Sequence, residues 1–443
     1  MNYLIEKLAK GGLGLCHSEG KTWFVENALP GESGESQILE NKSKYGRCRA
    51  ISRQNDSPCR NPDDACILSS QGKCDGCGFR HVKPELALNL KSQAIFESIT
   101  HATHCADIPY TCLDLNTPSL DHTRRRVRIH IDNGKTGYYQ RNSHIIISAS
   151  QCTILEDPLR CAVSWLEHNL KPNPAWRLDV QMDLDCNDHV FAHFKTIHPH
   201  TDRRNSKPSP SAFSPEKTWK SLDLWAKDAL SKGIFDGIRL DNDIFYGSHF
   251  IKDEIETQSG LKTISYRQIG DFGQATRNAN IQIHELVEEF VKSYSPHTVT
   301  DLFAGSGNLS FRAACFAPIV DAYEFFCSKQ AFLQGTQENQ KIWPKDTQVS
   351  LHLCDLSKGL PTKATQSDLI ICDPARDGLS EIMAADLCHA KAKAILYVSC
   401  EASCLARDLT RLSAAYQPQK LTFIDMFPQT PHAEVVTLLT RIR

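Results

Sequence analysis

The chain has 443 residues, room for roughly two or three domains at ~100–200 residues each. Hydrophobic residues make up 41% and charged residues 23%, a globular balance that excludes a wholly disordered chain. The net charge of -2 excludes binding driven by global positive charge, so any affinity for nucleic acid must come from local patches.

Met1 to Lys10 carries charges inside its only apolar stretch, so no signal peptide is expected. No window approaches the ~18 consecutive apolar residues of a membrane span, and a cytoplasmic protein without membrane attachment is expected. Residues 1–55 read as short strands punctuated by Gly11-Gly12-Leu13-Gly14, Gly20 and Leu29-Pro30-Gly31-Glu32, which predicts a small β-barrel. Pro58 and Pro62 mark a linker into a cysteine-rich loop, where Cys66, Cys74 and Cys77 follow the spacing C-x7-C-x2-C. Gly72, Gly76 and Gly78 would let that loop wrap around a metal centre, and Cys152 supplies a fourth thiol. Four thiolates suit an iron–sulfur cluster or zinc, and spacing alone does not choose between them. The other cysteines of the 18 read mostly as small buried hydrophobes, since no export signal is expected.

A helix is expected at about 85–100 and strands across 123–150. In Arg124-Arg125-Arg126-Val127-Arg128 the alternation of Arg126, Arg128 and His130 with Val127, Ile129 and Ile131 predicts a strand with one basic face, suited to an RNA backbone. A second basic run, Arg203-Arg204 with Lys207, lies in a proline- and serine-rich stretch at 199–215 that reads as a loop or insertion. The segment 56–270 is therefore expected to be a central α+β domain with the four-cysteine site and RNA-contacting strands.

From about 280 the texture changes. A helix at 281–294 precedes strands at 298–303, 319–324, 349–355, 368–373 and 394–399, with helical stretches between. That alternation predicts a parallel sheet covered on both faces, an α/β Rossmann-like unit over 271–443. Strands at 421–426 and 435–439 close it as a hairpin. The first strand runs into Phe303-Ala304-Gly305-Ser306-Gly307-Asn308, a glycine turn that lets a ligand approach the backbone. Glu324, nineteen residues after Gly305, is placed to accept from ribose hydroxyls, and Asp355 to meet an adenine amino group. The turn lacks G-x-x-x-x-G-K-[ST] and a third glycine, which favours S-adenosylmethionine over a nucleoside triphosphate or dinucleotide. The fourth and fifth strands deliver Cys372-Asp373-Pro374-Ala375-Arg376 and Tyr397-Val398-Ser399-Cys400 to the same end. Arg376 and Arg407 offer Cys400 a route to a lowered pKa. Such a thiolate can add to carbon 6 of a uracil and make carbon 5 nucleophilic; Glu434 stands in place for a base that then removes the carbon 5 proton.

These residues carry a resemblance. Asp271-Phe272-Gly273-Gln274, the 301–308 turn, Asp373-Pro374-Ala375-Arg376-Asp377-Gly378, Tyr397 to Cys400 with Leu405-Ala406-Arg407-Asp408, and Asp425-Met426-Phe427-Pro428 with His432 and Glu434 resemble the RNA uracil-5-methyltransferases, in order and over nearly the whole chain. The resemblance implies a class I methyltransferase fold, Cys400 as nucleophile and Glu434 as base. It implies adenosylmethionine contacts from Gln274, Phe303, Asn308, Glu324, Asp355 and Asp373, with Asp373 also helping to hold the target base. It implies an N-terminal TRAM-like barrel of OB type that binds RNA. The four cysteines Cys66, Cys74, Cys77 and Cys152 resemble the branch that carries a [4Fe-4S] cluster and acts on 23S ribosomal RNA as a monomer; the transfer-RNA branch typically lacks the cluster. Cys59 is the alternative first ligand, because the gap before Cys74 is longer than the branch's. The C-x3-C-x2-C loop of radical enzymes is absent, and Cys77 is followed by Gly78 rather than the His of a covalent haem site. Two positions depart from the pattern. Glu401-Ala402 replace Asn-Pro after the nucleophile, and Thr276 replaces Asn two positions after Gln274. A carboxylate at 401 that pointed inward would disfavour the thiolate, which leaves a catalytically silent RNA-binding protein as the alternative.

Overall fold

The computed structural model describes residues 1–62, 66–74, 76–105, 107–115, 117, 119–141, 143–171, 176–197, 215–241 and 243–442. Nearly all of the proline-rich 199–215 stretch, with Arg203, Arg204 and Lys207, lies outside them.

The chain begins with a six-stranded sheet whose two edges both come from its first nine residues. Asn2–Leu4 pairs with Ser33–Asn41, and Lys7–Ala9 pairs with Leu13–Ser18. Ile5 and Glu6 bridge the two edges, donating to Glu32 O and Leu15 O, both at 2.9 Å. Alternate residues Cys16, Trp23, Val25 and Cys48 point inward and form its core with Tyr3 and Ile5.

A seven-stranded sheet occupies the centre of the chain, from Arg126–Asp132 to Phe245–Gly247, and packs on the helices Asp157–Asn169 and Pro215–Ser231. The next hairpin, Phe250–Glu256 with Lys262–Gln268, leaves this sheet and lies on the following unit.

The third unit is an eight-stranded sheet. Its order is Gln348–Leu353, Ile319–Glu324, Thr298–Leu302, Leu369–Cys372, Ala394–Ser399, Glu434–Arg441, Tyr416–Ile424, Tyr110–Leu113. The first five strands are parallel, and Glu434–Arg441 runs antiparallel between its neighbours. After Thr298–Leu302 the chain winds to one side, then returns to the other. The carboxyl ends beside that strand form the crevice where such sheets bind ligands. Buried apolar side chains form one core on each face, as expected for strands that read as continuous apolar runs.

The segment 56–270 does not behave as one body. Its helix Pro84–Thr103 packs Leu88, Ile95 and Ile99 into the core of the eight-stranded sheet, and Tyr110–Leu113 extends that sheet. Among the described residues no helix is long and apolar enough to cross a membrane.

Candidate active site

Thr298–Leu302 runs directly into the glycine turn and the helix Asn308–Ala313. Phe303, Gly305 and Gly307 all have positive φ, of 63°, 55° and 91°. Glycine takes that conformation freely; Phe303 takes it only because the surroundings hold it there. A Cβ at Gly307 would lie 2.7 Å from the Phe311 ring, so the packing also requires glycine.

This turn borders a cleft at the carboxyl ends of the parallel strands. Gln274, Phe303, Asn308 and Asp373 line it. Glu324 holds the turn itself, accepting from the N–H groups of Gly305 (2.9 Å), Phe325 (2.7 Å) and Phe326 (3.2 Å). Asp355 is not at a strand end. Its strand stops at Leu353, and its carboxylate caps the turn Leu356–Lys358 through Ser357 N (3.1 Å) and Oγ (2.6 Å).

Asn308 is oriented from behind. Its Nδ2 donates to Asn280 Oδ1 at 2.9 Å, and His284 Nε2 lies 3.0 Å from its Oδ1. Arg312 Nε donates to His284 Nδ1 at 3.3 Å, which fixes the ring tautomer so that Nε2 carries the proton. Burial, with the Arg312 charge, holds His284 down at about 3, so the ring is neutral.

Two parts of the cleft were not legible in the sequence. One wall is the Phe250–Glu256 and Lys262–Gln268 hairpin, which contributes Asp253, Glu254, Ile255, Ser265 and Arg267. The other is Asp301. Its Oδ2 accepts from Ser310 Oγ at 2.5 Å, while Oδ1 is buried with no hydrogen-bond partner. Burial, helped by the neighbouring Asp373 and Glu324, pushes this carboxyl up to about 7. A lone carboxylate oxygen on a cleft wall is a natural seat for a cationic group.

Cys400 follows Ala394–Ser399 at the same end of the sheet and is partly exposed. Burial pushes its thiol up to about 11, and the charges of Glu434 and Asp373 add to that; Arg376 opposes them by its charge and by a hydrogen bond to the sulfur. Glu434, 4% exposed, opens the strand Glu434–Arg441. Burial and the neighbouring Asp373 push its carboxyl well above the usual range, against Arg376. Asp373 itself is pushed up to about 7 by burial. A thiol, two basic carboxyls and a guanidinium therefore share one floor beside the cleft. Such a set can generate a nucleophile and hold a proton acceptor next to it.

Comparison with known proteins gives this constellation its context. Residues 354–442, which carry Asp373, Arg376, Cys400 and Glu434, match the family model described as tRNA (Uracil-5-)-methyltransferase. A 23S rRNA (uracil(1939)-C(5))-methyltransferase from Histophilus somni is 27% identical over 464 residues, covering 99% of this chain and 96% of its own. The enzyme of the same description from Haemophilus influenzae is 28% identical over 453 residues, covering 97% and 93%. These matches support the RNA uracil-5-methyltransferase family as the relatives of this chain. The crystal structure of Pyrococcus abyssi tRNA (uracil-54, C5)-methyltransferase in complex with S-adenosyl-L-homocysteine superposes with a TM-score of 0.67 at 19% identity, over 99% of this chain and 100% of that one, which shows a shared fold.

The two departures from the family's pattern have structural explanations. Glu401 points away from Cys400. It caps the helix Ala402–Leu412 through Ser403 and forms an ion pair with Lys10 of the N-terminal sheet. Those partners hold its carboxyl down at about 2 despite partial burial. Thr276 is buried and donates to Met426 O at 2.9 Å, tying the start of the helix Arg277–Tyr294 to the loop before Glu434.

Two sequence expectations need correction. Arg407 does not serve Cys400: it bonds Asp408 Oδ1 (2.9 Å) and Asp377 O (2.6 Å). Asp408, fully buried, also accepts from Tyr397 Oη and Leu379 N, both at 2.8 Å, so this group fixes the turn after Arg376. The basic strand face is largely neutralised by the neighbouring strand Leu178–Leu184. Arg128 and His130 pair with Asp179, and Arg126 with Asp183. Arg125 is turned inward on Glu156 and Asp188.

Cys77 and Cys152 each feel the charge of Cys66 and Cys74. Burial pushes the Cys77 thiol up to about 12, and Cys152, Cys74 and Cys66 add to the rise against Arg80. Cys152 is likewise raised by burial, with Cys74 and Cys66 contributing. Cys59 instead packs with Leu8, Leu29, Phe79 and Val82. Among the described residues no group of three or more His, Cys, Asp or Glu side chains is arranged to hold a metal ion.

Proposed function

We infer that this chain is an RNA methyltransferase that places a methyl group on carbon 5 of a uridine, with Cys400 as covalent nucleophile. The observation that carries the reading is the shared floor of Cys400, Arg376, Glu434 and Asp373 beside the cleft. Bound adenosylmethionine supplies the electrophilic methyl group. Asp301 Oδ1 is a seat for the cofactor's ammonium group, and Gln274, Phe303, Asn308 and Asp373 line its cleft. Arg376 stabilises the Cys400 thiolate, which adds to carbon 6; the electron pair of the carbon 5–carbon 6 double bond is displaced onto the ring carbonyl. Carbon 5 of the enolate would then take the methyl group as the methyl–sulfur bond of the sulfonium breaks, its electron pair leaving with the sulfur of S-adenosylhomocysteine. Glu434 takes the carbon 5 proton, the double bond re-forms, and the thiolate leaves. A carboxyl raised by burial is a stronger base than a free one, which suits that last step.

The likeness to the 23S rRNA enzymes supports ribosomal RNA as substrate, and a monomer in the cytoplasm is the working form we propose. The N-terminal sheet, closed by its own first strand, fits a TRAM-like RNA-binding barrel of OB type. A [4Fe-4S] cluster on Cys66, Cys74, Cys77 and Cys152, which the resemblance implies, would cross-link the loop to the strand region near Cys152.

The test is nucleoside mass spectrometry of ribosomal RNA from cells with wild-type protein, Cys400→Ala or no protein. Loss of one 5-methyluridine in both altered strains supports the reading. An unchanged pattern with a loss in transfer RNA moves the substrate, and no change in either favours an RNA-binding protein without turnover. Iron and sulfide content should fall in Cys152→Ser and not in Cys59→Ser.

A further inference from the structure

Glu434 is reached by a loop, 425–433, that separates Ile424 from its cross-strand partner Glu434. Hairpin loops of typically 2–5 residues hold their own shape; one of this length needs outside support. That support is a lysine on a distant helix. Lys91 lies on the inward side of Pro84–Thr103, between Leu88 and Ile95, and is 2% exposed. Its ammonium group bonds Asp425 Oδ1 at 2.5 Å, Thr430 O at 3.2 Å and Phe427 O at 3.3 Å. A lysine has three N–H donors, and all three are spent on this one loop.

A buried ammonium must satisfy all three of its donors, and here the two left over from the ion pair both go to carbonyls of this one loop. Burying the pair is costly, and an apolar pair of the same volume often serves the fold as well. The carbonyl bonds fix the path of the loop at Phe427 and Thr430, four residues before the base. Thr430 carries the restraint onward, since its Oγ1 accepts from His432 N at 3.3 Å. Gln429, between the two carbonyls, is held at φ 64°, a conformation its own chain does not favour, and its carbonyl accepts from Phe79 N at 2.9 Å.

We propose that Lys91 is a positioning residue for the base: it acts through the 425–433 loop to place the Glu434 carboxylate for removal of the carbon 5 proton. This rests on the uridine methylation reading above. Because proton removal follows thiol addition and methyl transfer, its loss leaves the earlier steps in place.

The experiment compares wild type, Lys91→Met, and Lys91→Met with Asp425→Leu, the pair that leaves no buried charge unpaired. Each is given uridine RNA and 5-fluorouridine RNA with adenosylmethionine. On uridine RNA both variants should turn over about 10–100-fold slower, the loss expected for a catalytic group displaced by about an ångström. KM for RNA should stay at the wild-type value, and a methylated covalent protein–RNA adduct should accumulate. On 5-fluorouridine RNA, where no proton can leave, both should trap at the wild-type rate. Wild-type turnover in the double variant overturns the proposal, and so does trapping that falls in step with turnover, because the loop then serves the whole site. If wild type itself traps no fluorinated RNA, the methylation reading fails, and that result is separate from either of the others.

Discussion

Replacing Arg376 with Met tests the thiol's electrostatics directly. With its thiol at about 11, Cys400 in the free enzyme is a thiolate in roughly one molecule in 10⁴ at pH 7, since each pKa unit is a factor of ten. Arg376 lowers it, by charge and by hydrogen bond. A hydrogen bond to a charged group contributes ~1.5–3 kcal/mol when shielded from water. Arg376 is exposed, so solvent screening reduces this to about 1 kcal/mol, close to fivefold to tenfold in thiolate. Glu434 acts in the opposite sense. Peptide-resolved alkylation of Cys400 by iodoacetamide, followed from pH 7 to 10, reads the thiolate without RNA. Arg376→Met should slow alkylation at pH 8 by about fivefold to tenfold, and Glu434→Gln should speed it. If both variants alkylate at the wild-type rate, the thiol does not feel the floor as described, and the activation argument fails.

The Glu401→Gln variant should leave the Cys400 alkylation profile unchanged, since Glu401 faces Lys10, while protease cleavage between the N-terminal sheet and the rest should quicken; a shifted profile would mean the carboxylate reaches the thiol after all. A pH effect follows from Asp301 and Asp373, both at about 7. Their folded values exceed the unfolded ones near 4, so the folded state binds more protons between those limits and loses stability as pH rises from ~4 to ~7. Urea midpoints should fall across that window, with a shallower fall in Asp301→Asn. Adenosylmethionine is cationic at its sulfonium and ammonium groups, so its binding should expel those protons and tighten from pH 6 to pH 8. Titration calorimetry in two buffers of different ionisation enthalpy measures the release, and proton uptake instead would refute the assignment.

The parallel strands were legible because each is a short apolar run bounded by turn residues, and their active-site side chains sit at run ends. What pairs with what was less legible. Arg126, Arg128 and His130 looked like a free basic face, yet Asp179 and Asp183 alternate on the adjacent strand in register with them. Those acids are visible in the sequence, but only the pairing says that they neutralise that face. Asp355 was displaced for a local reason: with Ser357 two residues on, its carboxylate bonds its own backbone and ends the strand early. Lys91 left a faint signal, a lysine on the side of a helix that otherwise presents Leu88 and Ile95, but its partner lies 334 residues away.

The same long-range wiring predicts how the catalytic unit behaves alone. A fragment of residues 271–443 contains the glycine turn, Cys400 and Glu434, and by sequence it reads as complete. In the intact chain its sheet is extended beyond Tyr416–Ile424 by Tyr110–Leu113, and its core takes Leu88, Ile95 and Ile99 from the helix Pro84–Thr103. Without them the fragment exposes the strand edge at Leu421 to Ile424 and an apolar face beside it, conditions that favour edge-to-edge association. It also buries Asp425 with no Lys91, and removing one partner of a buried pair costs ~3–5 kcal/mol, a large part of a domain's stability. The cleft loses the wall formed by Asp253 and Arg267. The fragment should aggregate or lack a cooperative melt, and should not bind adenosylmethionine. Extending it to begin at 84 restores the helix and edge strand, and cooperative melting should return. A cooperatively folded 271–443 fragment that binds cofactor would show that these distant segments decorate the catalytic unit rather than build it.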